Sequence, residues 1–364
     1  MSQDGIHFEK YSGNPVLEPP TGIDIDSFRD PKVWEHDGSY YMICGARMAN
    51  RAQALLYSSK DLFTWEFMNV MFESRGEWGT MWECPDFFTI GDKDIFTCSP
   101  IGTGDRTCSY FMGKLDYQSG VFQLDRSGEI DWGFDHYAAQ TFEDSHGRRL
   151  MLSWANGWDW MPWWRDWGPT YKEGWCGSFT IPKEVAIAED GELSFTPASE
   201  LSEHLQPAES ASVISCGGGQ TCPIASINTS GRLTLHLSTS GNTAPKVTLR
   251  LQHDVQHYVL LVVDFGRRDI TVDRKTSDGW STGTMHTVLK SSVVGELDVD
   301  IIFDTSSLEI FTQGHRTNFS FNVFGGGPWK VSVASDTSSI QIRDISAWNY
   351  QEHSIQSNRQ EIEA

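Results

Sequence analysis

The sequence predicts an all-β chain: a propeller-like first half followed by a β-sandwich. Three observations carry that expectation. Short runs rich in β-branched and aromatic residues, bounded by Gly, Asp, Asn or Ser, recur throughout, as in Tyr40–Cys44, Ala54–Tyr57 and Leu150–Trp154. No long stretch keeps an apolar period of 3.6 residues with caps at both ends. After about residue 220 the pattern changes to strict apolar–polar alternation over many short strands, which suits two packed sheets.

A weak internal repeat organises the first half. One unit starts at Asp30-Pro31-Lys32-Val33-Trp34 and runs through Ser39–Ile43 and Leu55–Ser59 to Trp65-Glu66-Phe67. The next starts at Asp86-Phe87-Phe88-Thr89-Ile90, and the third at Asp135-His136-Tyr137-Ala138-Ala139-Gln140, so the starters Asp30, Asp86 and Asp135 lie 56 and 49 residues apart. Four strands in about fifty residues is the size of one propeller blade. The innermost strand of a blade lines the central channel, so the acidic starters are expected to converge on one site. The nearest helix candidate, 197–205, is short and marks a domain boundary. Residues 200–222, rich in Ser, Ala and Gly, read as a linker between a propeller domain over 1–199 and a sandwich over 223–349. The sandwich runs include Leu233–Leu237, Val247–Leu251, Tyr258–Val263, Leu297–Phe303 and Val331–Val333. A polar tail over 350–364 follows.

Composition narrows the chemistry. A net charge of −21 disfavours nucleic acid and anionic membrane surfaces. No apolar run approaches the roughly 20 residues of a membrane helix, and the first twenty residues hold no apolar signal core. The seven cysteines include no C-x-x-C pair and no accompanying His cluster, so no metal site is expected. Buried free thiols are the preferred reading, with a Cys216–Cys222 bridge reserved for a secreted protein. The sequons at Asn228 and Asn318 matter only in a secreted eukaryotic protein. Localisation is left open: the free-looking cysteines lean to the cytoplasm, and secretion would need a signal peptide upstream.

Two strings carry candidate chemistry: Phe28-Arg29-Asp30-Pro31 and Trp82-Glu83-Cys84-Pro85-Asp86. Glycoside hydrolysis uses two carboxylates, one to move a proton and one to attack or stabilise the sugar cation. Fifteen tryptophans are more than a core requires, and seven fall in the segment Trp154–Trp175, interleaved with Asp, Arg and Asn. Apolar sugar faces stack on such rings while hydroxyls take hydrogen bonds from polar neighbours.

These strings resemble glycoside hydrolase family 32, the invertase, sucrose-6-phosphate hydrolase, inulinase and fructosyltransferase family. Further matches are Leu56-Tyr57-Ser58-Ser59-Lys60-Asp61-Leu62, Asp135–Phe142, Gly147-Arg148-Arg149, Trp175-Cys176-Gly177, Ile181-Pro182-Lys183-Glu184 and, in the sandwich, Phe303–Ser306 with Leu308–Phe311. Lys183 stands where Arg is usual. The resemblance covers nearly the whole chain. It implies an incomplete five-bladed propeller with about three full blades, then the sandwich. It also implies retaining cleavage of terminal fructosyl residues from sucrose or fructans, without a cofactor.

By resemblance, Glu83 is the general acid/base and Asp30 the transition-state stabiliser. Arg29, Trp82, Cys84, Tyr137 and Trp175 are the expected substrate-binding residues. The family's nucleophilic Asp belongs to a Trp-Met-Asn-Asp-Pro-Asn-Gly-type string that this sequence does not contain. Asn14-Pro15 lacks the preceding Asp, and Asp4, Asp24 and Asp26 lack the context. The segment Ser2–Phe8 resembles the last strand of the second blade. The chain alone is therefore expected to be weak or inactive, and an open propeller edge to favour self-association. The alternatives are a non-catalytic carbohydrate-binding remnant and a fructosyltransferase.

Overall fold

The computed structural model describes residues 1–364 except 23, 105, 159–167, 240–243, 291–294 and 352–364. The expected tail from residue 352, and Trp160, Trp163, Trp164 and Trp167, lie outside the described residues. The chain divides into two compact units, Met1–Thr196 and Pro197–Ala364.

The first unit is propeller-like and holds three four-stranded sheets. The first sheet comprises β1 (Ser27–His36), β2 (Ser39–Met48), β3 (Arg51–Ser59) and β4 (Glu66–Glu73). The second comprises β5 (Met81–Ile90), β6 (Lys93–Ile101), β7 (Ser109–Asp116) and β8 (Val121–Glu129). The third comprises β9 (Tyr137–Glu143), β10 (Arg149–Trp154), β11 (Lys183–Ile187) and β12 (Leu193–Pro197). Neighbours in sequence are neighbours in each sheet, so each is a simple meander. Its first strands come together: β5 lies against β1 on one side and β9 on the other.

β3 and β6 are buried on both faces, because their sheets are covered on both sides. Ala52, Ala54 and Leu56 of β3 join Trp82, Phe96 and Phe111 of the second sheet in one cluster. Leu55 and Tyr57 face the other way, into a cluster with Met42, Cys44, Leu17 and Ile25. Leu17 and Ile25, ahead of β1, thus pack on the far face of the first sheet. Gly45 is required where β2 meets β5, since a Cβ there would run into the Trp82 carbonyl oxygen.

The sandwich unit has two sheets. One runs β13 (Leu205–Pro207), β25 (Ile340–Tyr350), β16 (Gly231–Thr239), β21 (Glu296–Phe303), β22 (Ser307–Thr312), β23 (Thr317–Asn322), with β14 (Ile214–Cys216) added on β25. The other runs β15 (Thr221–Ile227), β24 (Trp329–Ser335), β17 (Lys246–Gln252), β18 (Tyr258–Asp264), β19 (Asp269–Thr276), β20 (Thr284–Val288). Alternation does the work here. Leu233, Leu235 and Leu237 of β16 are buried, as are Val247, Leu249 and Leu251 of β17, with polar residues between them. Each such side chain contributes about 1.5–3 kcal/mol.

Four expectations need correction. The helix expected over 197–205 is a 3-10 turn at Ser199–Ser202, and the chain enters β13 three residues later. The expected linker 200–222 belongs to the second unit, because β13 and β14 pair with β25. Ser2–Phe8 forms no strand: Asp4 Oδ1 accepts the Ile6 and His7 amides and Ser2 Oγ the Gly5 amide, a local turn that competes with strand pairing. Finally, Cys216 and Cys222 form a disulfide, whereas Cys44, Cys84, Cys98, Cys108 and Cys176 are free. Of the two sequons, Asn318 is fully buried and Asn228 exposed.

Candidate active site

The site is built by a device repeated on the three inner strands. Each loses register over two residues: between Arg29 and Lys32 in β1, between Glu83 and Asp86 in β5, and between Tyr137 and Gln140 in β9. Each bulge carries one non-glycine residue in the left-handed region, Asp30 (φ 60°), Cys84 (φ 50°) and Ala138 (φ 56°). Pro31 and Pro85 follow two of them, where the missing N–H costs no ladder bond. A bulge adds one residue, so Glu83 and Asp86, three apart, share the side that residues two apart would share in a regular strand.

The bulges bring together residues 54 apart. Arg29 Nη1 donates to Glu83 Oε1 at 2.6 Å, and Tyr137 Oη donates to Glu83 Oε2 at 2.6 Å. Glu83 is thus held between two donors, one from each neighbouring sheet. Its side chain keeps 18% of its surface exposed and that of Arg29 39%, so the row opens to solvent. The same spacing links Asp30 to the Cys84 backbone N–H, 2.9 Å from Asp30 Oδ2, with the Cys84 thiol 3.7 Å from the same oxygen. Burial, with Asp30 and Glu83 nearby, pushes the Cys84 thiol up to about 12, so it stays a protonated donor. Burial and the hydrogen bond to Glu83 raise the Tyr137 phenol well above its usual range, so it too keeps its proton.

A second row lies along the same strands. Lys32 Nζ is 3.0 Å from Asp86 Oδ1 and 3.2 Å from the Thr141 carbonyl oxygen. Asp86, fully buried, also accepts the Thr141 amide at 2.6 Å. Lys32, Asp86 and Thr141 therefore tie the three inner strands together beside the Arg29–Glu83–Tyr137 row. Behind Tyr137, Lys183 and Asp131 form a fully buried pair at 3.2 Å. His136 contacts Ser153 Oγ at 2.9 Å, and burial, reinforced by Lys183, lowers it to about 3, which keeps it neutral.

The expected residues divide accordingly. Asp30, Glu83, Arg29, Cys84 and Tyr137 are brought together, but Arg29 and Tyr137 hold Glu83, and Cys84 holds Asp30. The acidic starters do not converge as a set: the equivalent of Asp30 is Cys84, Asp86 belongs to the second row, and Asp135 is buried ahead of Tyr137. Trp82 is a correction, because its ring is fully buried among Phe72, Phe96 and Phe111 and its N–H donates to the Trp78 carbonyl oxygen. Trp175 is 42% exposed, with its indole N–H on Glu173. No hydrogen bond or ring contact among the described residues joins it to Glu83. The aromatic wall beside the acid is instead Trp154 and Trp158, ring centroids 4.9 Å apart and both edge-on to Tyr137. Trp158 is 47% exposed. The Trp-rich segment signalled such a wall without saying which rings form it.

Residues 1–197 match the model of the glycosyl hydrolases family 32 N-terminal domain, and residues 200–349 match that of the family 32 C-terminal domain. A sucrose-6-phosphate hydrolase of Bacillus subtilis is 30% identical over 341 residues, 89% of this chain and 66% of the relative. A raffinose invertase of Escherichia coli is 39% identical over 214 residues, 55% of this chain and 42% of the relative. The chain thus spans less than two thirds of the length of these relatives. Among solved structures, a Bombyx mori GH32 beta-fructofuranosidase, a mutant in complex with sucrose, superposes with a TM-score of 0.78 at 28% identity. It covers 96% of this chain, which covers 71% of it.

Proposed function

The chain belongs to glycoside hydrolase family 32, and from that premise we propose that its first unit carries a fructoside site of the β-fructofuranosidase type. Its substrates are sucrose or fructans. Glu83 is the general acid/base and Asp30 the residue that holds fructosyl hydroxyls and stabilises the sugar cation. The observation that supports this reading best is the Glu83 carboxylate gripped by Arg29 and Tyr137, 2.6 Å on each side, with Asp30 fixed by the neighbouring Cys84.

The roles follow from the contacts. As the base, Glu83 takes a proton from water in the second half of a retaining reaction. To protonate the leaving oxygen in the first half, Glu83 must release one donor. Arg29 is the more exposed of the two and is the one a fructosyl hydroxyl can draw away. Tyr137, buried and backed by Trp154, stays in place. The leaving sugar lies against the exposed face of Trp158.

A retaining reaction also needs a carboxylate that attacks the anomeric carbon, and none of the motifs of this chain supplies one. The proposal is therefore a site that binds fructosides and, in this chain alone, turns them over at background rate. The test is sucrose binding, followed by tryptophan fluorescence, together with glucose release by the purified chain. Saturable binding with background release is expected. Robust release abolished by Glu83→Gln would overturn the statement about the nucleophile. No binding, in a chain whose circular dichroism is native, would overturn the site itself.

A further inference from the structure

We propose a second saccharide-binding site on the sandwich unit, for a neutral, hydroxyl-rich ring. A concavity of about 390 Å³ opens on the outward face of the sheet formed by β16, β21, β22 and β25. That volume lies in the range of about 300–1,000 Å³ typical of small-molecule sites. Thr234, His236, Asp298, Asp300, His315 and Asp344 line it, over a floor that includes Phe311.

Its polar groups fall into a frame and a set of open acceptors. In the frame, Asp300 takes both Arg232 Nε (2.9 Å) and Nη2 (2.7 Å), and His315 Nε2 lies 3.2 Å from it. His236 Nδ1 is 2.7 Å from Asp298 Oδ1, and Arg343 Nη2 is 3.1 Å from His236 Nε2. These bonds fix the side chains before a ligand arrives. The open groups are the Asp344 carboxylate and the Thr234 hydroxyl, which make no side-chain hydrogen bond among the described residues, and the second oxygen of Asp298, whose side chain is 77% exposed.

The backbone is shaped to present them. Asp344 sits at φ 54° where β25 slips register against β16 between Thr234 and His236. Across the concavity, Gln313 (φ 57°), Gly314 (φ 65°) and His315 (φ 60°) form a run of left-handed residues. Gln313, Gly314 and His315 belong to the tight turn that joins β22 to β23 and sets His315 at the rim.

Chemistry selects the ligand class. Three carboxylates against one lining guanidinium repel an anion, so a phosphorylated sugar is excluded. Arg232 occupies Asp300 and would oppose a cation bound there. What remains is a neutral ligand whose hydroxyls donate to the carboxylates and exchange hydrogen bonds with His236, His315 and Thr234. An unphosphorylated saccharide has that profile.

The experiment is calorimetric titration of the whole chain with sucrose, 1-kestose and sucrose 6-phosphate. Two neutral sugars per chain are expected. Asp344→Ala and Thr234→Tyr should each weaken one of the two at least tenfold, with native circular dichroism, and leave the other. Arg29→Ala should remove only the other. Binding unchanged in both pocket variants overturns the proposal. So does tighter binding of the 6-phosphate at the site that Asp344→Ala removes, or a response of that site to calcium and not to sugar. If the fructoside reading of the first unit is wrong, Arg29→Ala changes nothing and Asp344→Ala removes all binding, so the two failures are distinguishable.

Discussion

The two units bury different things in their strands. In the sandwich, β16 and β17 alternate cleanly, with Leu and Val inward and polar residues outward. In the propeller-like unit, β3 and β6 are buried on both faces, and the inner strands β1, β5 and β9 carry polar and charged groups inward at Lys32, Asp86, Glu83 and Tyr137. The difference shows what each unit is organised around. The sandwich is an apolar core with a polar outside. The propeller-like unit is an apolar core pierced by rows of hydrogen bonds between strands of different sheets.

Removing one group from each kind of core tests that contrast most strongly. Asp86→Ala leaves Lys32 without its carboxylate and two amides without their acceptor. Breaking a buried pair in this way costs about 3–5 kcal/mol. Hydrogen exchange should show the loss across β1, β5 and β9 and leave β16–β18 protected. Leu249→Ala should do the reverse, costing about 2–5 kcal/mol in the sandwich alone. Equal loss in both units from either variant would break the comparison.

The same contrast explains what could be read from the residues. Asp30 and Glu83 stood out as candidates because each sits in a short specific string, and their neighbouring inner strands meet. The sandwich strands were legible because alternation with one buried face has a single period. Trp82 was misread although the strand rule was available: Trp82 and Glu83 are adjacent in β5, so if one faces the site the other faces the core. The pairing of Arg29 and Tyr137 with Glu83 was not legible, since it depends on a shared 54-residue spacing set by three bulges. Choosing acidic residues as repeat markers gave unequal spacings of 56 and 49, because Asp86 and Asp135 do not occupy the bulge position of Asp30. The strands β13, β14 and β15 were hidden in a Ser- and Gly-rich stretch whose pairing comes from β24 and β25, far along the chain.

A smaller effect separates the units by pH. Burial raises Glu129, at the end of β8, to about 7 from 4.5, against the pull of Arg106 at 3.0 Å. A carboxyl raised on folding gives stability that is full below its unfolded value and is lost as pH climbs through its folded one. His136, lowered to about 3, acts in the opposite sense: its contribution is full above pH 6.5 and is lost as pH falls. The first unit is therefore squeezed from both sides. Glu129→Gln should remove the alkaline limb, worth about 2 kcal/mol between pH 5 and 8, as read from denaturant midpoints of that unit. An unchanged slope would mean that Arg106 fully offsets the burial.

The smallest effect isolates the bulges themselves. Ala138 is left-handed, at φ 56°, where a Cβ costs about 1 kcal/mol relative to glycine. Ala138→Gly relieves that strain but loosens the unfolded chain by about 0.4–1 kcal/mol. The two terms oppose, so the variant should stay within about 0.5 kcal/mol of the parent. Ala347, buried in β25 of the sandwich, has no positive φ to relieve. Ala347→Gly should lose about 1 kcal/mol or more, since entropy and lost packing act together. Equal losses at the two positions would mean that the bulge at Ala138 is not strained, and that the 54-residue spacing of the site rests on the Lys32–Asp86–Thr141 row alone.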